Sequence, residues 1–294
     1  MRQAPPPSHA PSDAPLPFDK MHGLGNDFVI IDARQHPVRL SPALITALAD
    51  RHRGVGFDQM AIISGGEGPP HLAFYNSDGS RSVTCGNATR CIARKLMQES
   101  GEGSVVLLSD HRRLVARDAG GEMTEVNLGP PALAWHEIPL AQDLDTLHLP
   151  ITGRPTATSM GNPHCTFFVE DAESVDIAAV GRCHEHHALF PQRTNVQVVQ
   201  VVGRDHLRVR VWERGVGRTL ASGSSACAAA VAAARRGLCG RQQQVDLDGG
   251  SLWIHWREDG VWMRGPTAHV FSGVVTAAFL RTTSGEHGES GEHG

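Results

Sequence analysis

The sequence predicts an α/β (α+β) fold built from two similar halves, on three observations. Short strand-like runs outnumber helical ones. Two helical stretches, 88–98 and 226–236, each open directly behind a turn of small residues. A proline-rich joint, Pro130-Pro131, separates two stretches in which the same order of elements returns. Strands, a small-residue turn and a helix recur on either side of it, which reads as a distant internal duplication of architecture.

Taken in order, residues 28–32 form an apolar strand after a glycine-rich turn. Residues 41–51 carry a helix start, with Ser41 at the cap and Pro42 in the first position. Strands follow at 60–64 and 71–75, then the helix behind Cys85-Gly86-Asn87. Further strands are expected at 105–108, 113–117 and 125–128. In the second half, strands at 166–169, 197–202 and 206–212 lead to the helix behind Ser222-Gly223-Ser224.

Residues 1–17 are proline-rich and read as a disordered leader; the Gly/Glu/His repeat at 283–294 reads as a disordered tail. Between them lie a first half, 18–130, and a second half, 131–269.

Composition narrows the function. The 294 residues carry a net charge of -4, which recommends neither nucleic acid nor an anionic membrane as partner. No 18-residue apolar run or signal peptide appears. Lys20 and Lys95 are the only lysines, so a Schiff-base cofactor has little choice of anchor. The six cysteines, in a chain long enough to bury a core without staples, read as reduced cytoplasmic thiols.

The turn around Cys85 sets a thiol at the mouth of a helix, where unpaired N–H groups favour a thiolate and are expected to lower its pKa. The same N–H groups suit a carboxylate, and Gly86 lets the anion approach. Ser222-Gly223-Ser224 is the counterpart in the second half. Glu213-Arg214 ends a strand with a carboxylate and a guanidinium, the latter suited to a carboxylate ligand. A surface ion pair reads equally from these two residues. His164 stands in the tight turn Gly161-Asn162-Pro163-His164 and, alone, fits a structural role. Asn26, Gln59, Asn76 and Asn195 stand beside glycines or turns, and so many neutral amides suggest a polar pocket lining.

Together these segments resemble diaminopimelate epimerase, a family of PLP-independent amino-acid racemases. The resemblance rests on Met21-His22-Gly23-Leu24-Gly25-Asn26-Asp27-Phe28, Gly54-Val55-Gly56-Phe57-Asp58-Gln59, Asn76-Ser77-Asp78-Gly79, Cys85-Gly86-Asn87, Met160-Gly161-Asn162-Pro163-His164-Cys165, Arg193-Thr194-Asn195 and Trp212-Glu213-Arg214-Gly215. These run in the family's order from about residue 18 to 271. The resemblance implies two pseudo-symmetric domains, each a curled mixed sheet around a central helix, with the site in the cleft between them. It also implies a last strand, 270–282, returning to the first half. It implies a homodimer acting on diaminopimelate with no metal or organic cofactor. Cys85 falls on one catalytic thiol, and His164 and Glu213 on positions that support the thiols. Asn26, Gln59, Asn76, Gly86, Asn87, Asn162, Asn195, Glu213, Arg214, Gly223 and Ser224 fall on substrate-contacting positions.

One departure bears on the chemistry. The family's second-half turn reads Ala-Cys-Gly, whereas this chain has Ala221-Ser222-Gly223. A serine hydroxyl is a far weaker base than a thiol and needs a neighbouring base to act as one. Three outcomes are open: an asymmetric Cys85/Ser222 epimerase, a racemase of another amino acid or relative with altered chemistry, or an impaired amino-acid-binding homologue. Cys91 and Cys227 read as core residues. The cluster His184, Glu185, His186 and His187 lacks a zinc-site spacing and reads as a solvated loop or helix end.

Overall fold

The computed structural model describes residues 14–66, 68–82, 85–110 and 112–283. Most of the expected leader and nearly all of the expected tail lie outside the described residues. Where the leader is described it is corrected: the first strand, β1 (Leu16–Gly23), starts inside it. Leu16 and Pro17 pair across to Val275 and Val274, and burial of Leu16 and Phe18 repays the ordering.

The first run of elements continues with β2 (Asn26–Asp32), α1 (Pro42–Ala49), β3 (Gln59–Ser64), β4 (His71–Asn76) and β5 (Arg81–Ser82). It closes with α2 (Gly86–Ser100), β6 (Ser104–Ser109), β7 (Arg113–Asp118) and β8 (Met123–Asn127). The second run is β9 (Thr156–Ser159), β10 (Pro163–Phe168), α3 (Ile177–Glu185), β11 (Asn195–Gly203), β12 (His206–Glu213), β13 (Gly217–Thr219), α4 (Gly223–Arg235), β14 (Gln242–Leu247), β15 (Gly250–Arg257) and β16 (Gly260–Pro266). β17 (Ala268–Val275) and α5 (Ala277–Thr283) end the described chain.

The two runs match pairing for pairing. β1–β2 and β9–β10 are antiparallel, and β2–β3 and β10–β11 are parallel. The antiparallel pairs β3–β4 and β4–β5 recur as β11–β12 and β12–β13. A parallel step, β4–β6 or β12–β14, then leads to an antiparallel meander in each run. β8 and β16 pair antiparallel and join the halves, while β17 returns to β1. The fold is therefore one large mixed sheet, of 17 strands among the described residues, that runs through both halves, each half packed on one central helix.

The central helices differ in how they suit that enclosure. α2 buries Ala88, Cys91, Ile92, Ala93, Leu96 and Met97 against its sheet, and stops at Gly101, whose φ of 74° closes the helix on Met97 O. α4 is alanine-rich and buried without a break from Ser225 to Ala233, so strands approach it from all sides. Both helices begin earlier than the periodicity suggests, since Gly86 and Gly223 carry no apolar signal yet sit in the first turn. Cys91 and Cys227 are fully buried, and all six cysteines are free.

The elements that sequence patterning missed are β1, β5, β9, α3, β13, β14 to β16 and α5. The expected last strand at 270–282 is corrected: β17 starts at Ala268 and ends at Val275, and residues 277–283 form α5 instead. α3 hides a packing requirement: a Cβ at Gly181 would fall 2.2 Å from the Trp212 ring, so the helix lies directly on β12. None of the described helices is long and apolar enough to cross a membrane.

Candidate active site

Cys85 and Ser222 hold the same place in the two runs. Each is the N-cap of its central helix in extended conformation, Cys85 with φ -144° and ψ 97°, Ser222 with φ -137° and ψ 116°. The two helix starts converge on one side chain. A Cβ at Gly86 would lie 2.8 Å from Met263 Cε, and one at Gly223 would lie 2.9 Å from Met263 Sδ and 3.3 Å from Asn87 Oδ1. A side chain at either position would meet Met263 of β16, which packs across both helix starts.

The two caps are used differently. Cys85 Sγ accepts from Ala88 N at 3.4 Å, a long cap bond to its own helix. Ser222 makes no side-chain cap bond; its Oγ instead donates to Glu213 Oε2 at 3.0 Å. A carboxylate is a stronger acceptor than the alternatives on offer, and the hydroxyl turns to it. The first-turn N–H groups of α4 are thereby left free of their own cap.

The electrostatics correct one expectation from the sequence. The helix mouth was expected to lower the Cys85 pKa, but burial pushes the thiol up to about 12, outweighing the Ala88 N–H bond, and Glu213 raises it further. Only 8% of Cys85 is exposed, so desolvation of the thiolate dominates. Burial also raises the Glu213 carboxyl, against the hydrogen bond from Ser222. Glu213 and Arg214 therefore do not form the surface ion pair that adjacency allowed. The Glu213 carboxylate turns inward to Ser222, and Arg214 Nη1 donates to Gln192 O at 2.9 Å.

His164 is fully buried, and burial with the nearby Arg214 charge holds its pKa down at about 3, so the ring is neutral. Its Nδ1 faces Gln197 Nε2 and its Nε2 faces Asn162 Oδ1, both at 2.9 Å. Gln197 Nε2 can only donate, so the proton sits on His164 Nε2 and is given to Asn162. Gln197 Nε2 also donates to Ser225 Oγ at 3.0 Å in the first turn of α4, tying the histidine turn to the helix start. Within this network His164 sets the orientation of Asn162.

The remaining amides fall into linked pairs. Asn195 Nδ2 donates to Pro163 O and its Oδ1 accepts from Arg214 N, both at 3.0 Å, so it staples the histidine turn to the Glu213-Arg214 turn. Gln59 and Asn76 lie opposite each other on β3 and β4, with Gln59 Nε2 donating to Asn76 Oδ1 at 3.0 Å. Asn76 Nδ2 in turn donates to Ser80 Oγ. Asn26 donates to Asp58 Oδ2 and accepts from Asn87 Nδ2 at 3.1 Å, which brings the first glycine-rich turn to the start of α2. Ser224, half-buried, opens α4 beside Gly223.

Glu185 corrects the reading of the histidine cluster as solvated. It is buried at the end of α3 and accepts from Trp212 Nε1 at 2.7 Å and Gly215 N at 2.8 Å, so it buttresses the Glu213 turn. Among the described residues no cluster of three or more metal-ligating side chains occurs. The sequence reading missed Met263, Gln197, Ser225 and Asp58. Only Gln197 left a signal, a polar residue inside the apolar run Val196-Gln197-Val198.

Known proteins resemble this chain in sequence and in fold. The family model described as diaminopimelate epimerase matches residues 18–134 and 156–270. Two relatives of that name, from Acidiphilium cryptum and Rhodospirillum centenum, are 48% and 49% identical. They cover 91% and 90% of this chain, and the matches span 99% and 93% of those proteins. Among solved structures, a hydroxyproline epimerase from Agrobacterium vitis superposes with a TM-score of 0.63 at 12% identity, over 89% of this chain and 92% of that one. A PhzF-family phenazine biosynthesis protein from Bacillus anthracis gives 0.62 at 12% identity, over 89% and 99%. At such low identity these two speak for the fold alone. The sequence match spans both halves and both helix caps, and the chain belongs to the diaminopimelate epimerase family.

Proposed function

We propose that this protein is an isomerase that interconverts LL- and meso-diaminopimelate by moving the α-proton, on the route to lysine and peptidoglycan precursors. In this reading Cys85 serves one face of the α-carbon and Ser222, backed by Glu213, the other. The observation that carries it is the bond from Ser222 Oγ to Glu213 Oε2 at 3.0 Å, made at the helix cap equivalent to that of Cys85.

A lone serine would be a poor base, but a serine bonded to a buried carboxylate has somewhere to send its proton. In one direction the Cα–H bond breaks toward Ser222 Oγ while the hydroxyl proton passes to Glu213. The Cys85 thiol then gives its proton to the opposite face. In the other direction Cys85 takes the α-proton, and Ser222 delivers one while recovering another from Glu213. One negative charge is shared over Cys85, Ser222 and Glu213, and at rest it resides on the carboxylate, since the thiol titrates at about 12. Asn26, Gln59, Asn76, Asn162, Asn195 and Arg214 bind the substrate's charged ends. Gly86, Asn87, Gly223 and Ser224 receive the carboxylate beside the reacting carbon, at the paired helix starts. The steps need side chains only, with no metal or organic cofactor.

We further infer a cytoplasmic homodimer whose partner molecule is the amino acid, with no nucleic acid or membrane. Val270, Phe271 and Val274 are exposed together along β17, and an apolar strip of that kind favours a second copy.

Solvent-deuterium incorporation at Cα, started separately from the LL and meso isomers, tests the reaction. Ser222→Cys is expected to raise turnover, and Cys85→Ala to lower it by about 10²–10⁴-fold. Full activity in Cys85→Ala discards the assignment, and equal exchange from both isomers argues against an asymmetric pair.

A further inference from the structure

Arg90 lies in the first turns of α2, fully buried, and among the described residues no carboxylate pairs with it. Its Nη1 donates to Asn87 Oδ1 at 2.9 Å and lies 3.2 Å from Met263 Sδ. Nε and Nη2 have no hydrogen-bond partner among the described residues. The titratable groups that interact with it are thiols: Cys85 and Cys91 on its own helix and Cys227 on α4. Space has been cleared for it, since a Cβ at Gly23 would lie 2.9 Å from Nη2 and one at Gly265 3.3 Å from Cζ. An isolated buried charge costs several kcal/mol, so its retention calls for an anion that offsets it.

The position of Asn87 indicates where that anion sits. With Oδ1 held by Arg90, the Asn87 carboxamide must aim Nδ2 the other way, where it donates to Asn26 Oδ1 at 3.1 Å. The same Oδ1 borders Gly223 at the start of α4. Arg90 thus fixes a side chain that touches the first glycine-rich turn, the start of α2 and the start of α4.

We propose that Arg90 is a positioning residue for the anion held between the starts of α2 and α4: it locks the Asn87 carboxamide and supplies a fixed positive charge beneath a bound carboxylate or the Cys85 thiolate. This rests on the site proposed above but not on the identity of the amino acid. The guanidinium itself touches no substrate; it acts through Asn87 and through its field. Besides Arg90, the charged and titratable groups that bear on Cys85 are Glu213 and Cys91.

Arg90→Met and Arg90→Lys in the full chain separate this from a packing role. Replacing an unpaired buried charge by an apolar side chain is commonly neutral or stabilising, so Arg90→Met is expected to unfold at or above the wild-type temperature. Its Cys85 is nevertheless expected to be alkylated by iodoacetamide about tenfold more slowly at one fixed mildly alkaline pH, followed by mass spectrometry of the Cys85 peptide. Its KM for diaminopimelate is expected to rise roughly tenfold or more with a smaller change in kcat. Arg90→Lys keeps the charge but not the paired donors, so the alkylation rate returns toward wild type while KM stays high. A wild-type alkylation rate and KM in Arg90→Met overturn the proposal. So does a loss of activity that follows lowered stability with no change in alkylation rate. If Arg90→Met fails to fold, Arg90→Lys decides, and an unchanged KM there overturns the proposal. Alkylation needs no substrate, so a chain that fails to turn over diaminopimelate still reports on Arg90 while refuting the proposed function.

Discussion

Two residues in equivalent caps meet different fates in this protein. Cys85 keeps a weak bond to its helix, while Ser222 abandons its helix for Glu213. The pair therefore consists of a thiol that holds its proton and a hydroxyl that borrows a base. In the proposed reaction the ionised Glu213 is required, and burial raises its pKa above the ordinary 4.5. Activity is accordingly expected to fall with decreasing pH through a midpoint above the usual glutamate range. Loss at the alkaline end waits for Cys85 at about 12. A kcat/KM profile checks both limbs. Glu213→Gln removes the base and should cost about 10²–10⁴-fold in turnover. Because an acid with a raised folded pKa loses stability as pH rises through that value, the same substitution should leave the neutral-pH unfolding temperature equal or higher. An unfolding temperature that drops with it would show Glu213 to be structural.

At the scale of elements, the glycine-rich turn between β1 and β2 is held by ions. Asp27 receives Lys20 Nζ at 2.5 Å and both Arg51 donors, and Arg51 also reaches Asp58, which holds Asn26. Burial opposes its charge, but Arg51 and Lys20 hold the carboxyl down at about 2. That stabilisation is present above the unfolded value of 3.8 and disappears as pH falls through about 2. Arg51 is half-exposed and screened, so the contribution is on the order of 1 kcal/mol. Asp27→Asn should lower the unfolding temperature at pH 7 and flatten its acid dependence between pH 4 and 2, read by calorimetry. An equal acid dependence in the variant would assign that stability elsewhere. Turn glycines and amides made this element visible in the sequence. Lys20, in a strand the proline-rich leader concealed, did not announce itself as its anchor.

At the scale of the molecule, the duplication brings the starts of the two central helices together on Met263. The β8–β16 pairing and the Met263 contact close one half on the other, and β17 completes the first half from the far end of the described chain. The outward residues Val270, Phe271 and Val274 remain exposed, and the proposed homodimer would cover them. Sedimentation should report a dimer, and Phe271→Asp should shift it to monomer by placing an uncompensated charge in an apolar contact. A monomeric wild-type protein would remove the dimer from the reading.

The sequence alone carried the two helices and the small-residue turns in front of them, because helix starts and turns are written in local backbone chemistry. The family was legible for the same reason, as its motifs are contiguous. Only the tertiary structure decided that Ser222 turns to Glu213, that Cys85 is a reluctant acid, and that Arg90 stands without a counter-charge. Each depends on desolvation and on partners far away in the chain. Glu213 reaches Ser222 across a turn, and Met263 and Gly265 reach α2 from the opposite half. No local pattern encodes how much water the enclosing sheets exclude, and that exclusion sets the charges on which the site operates.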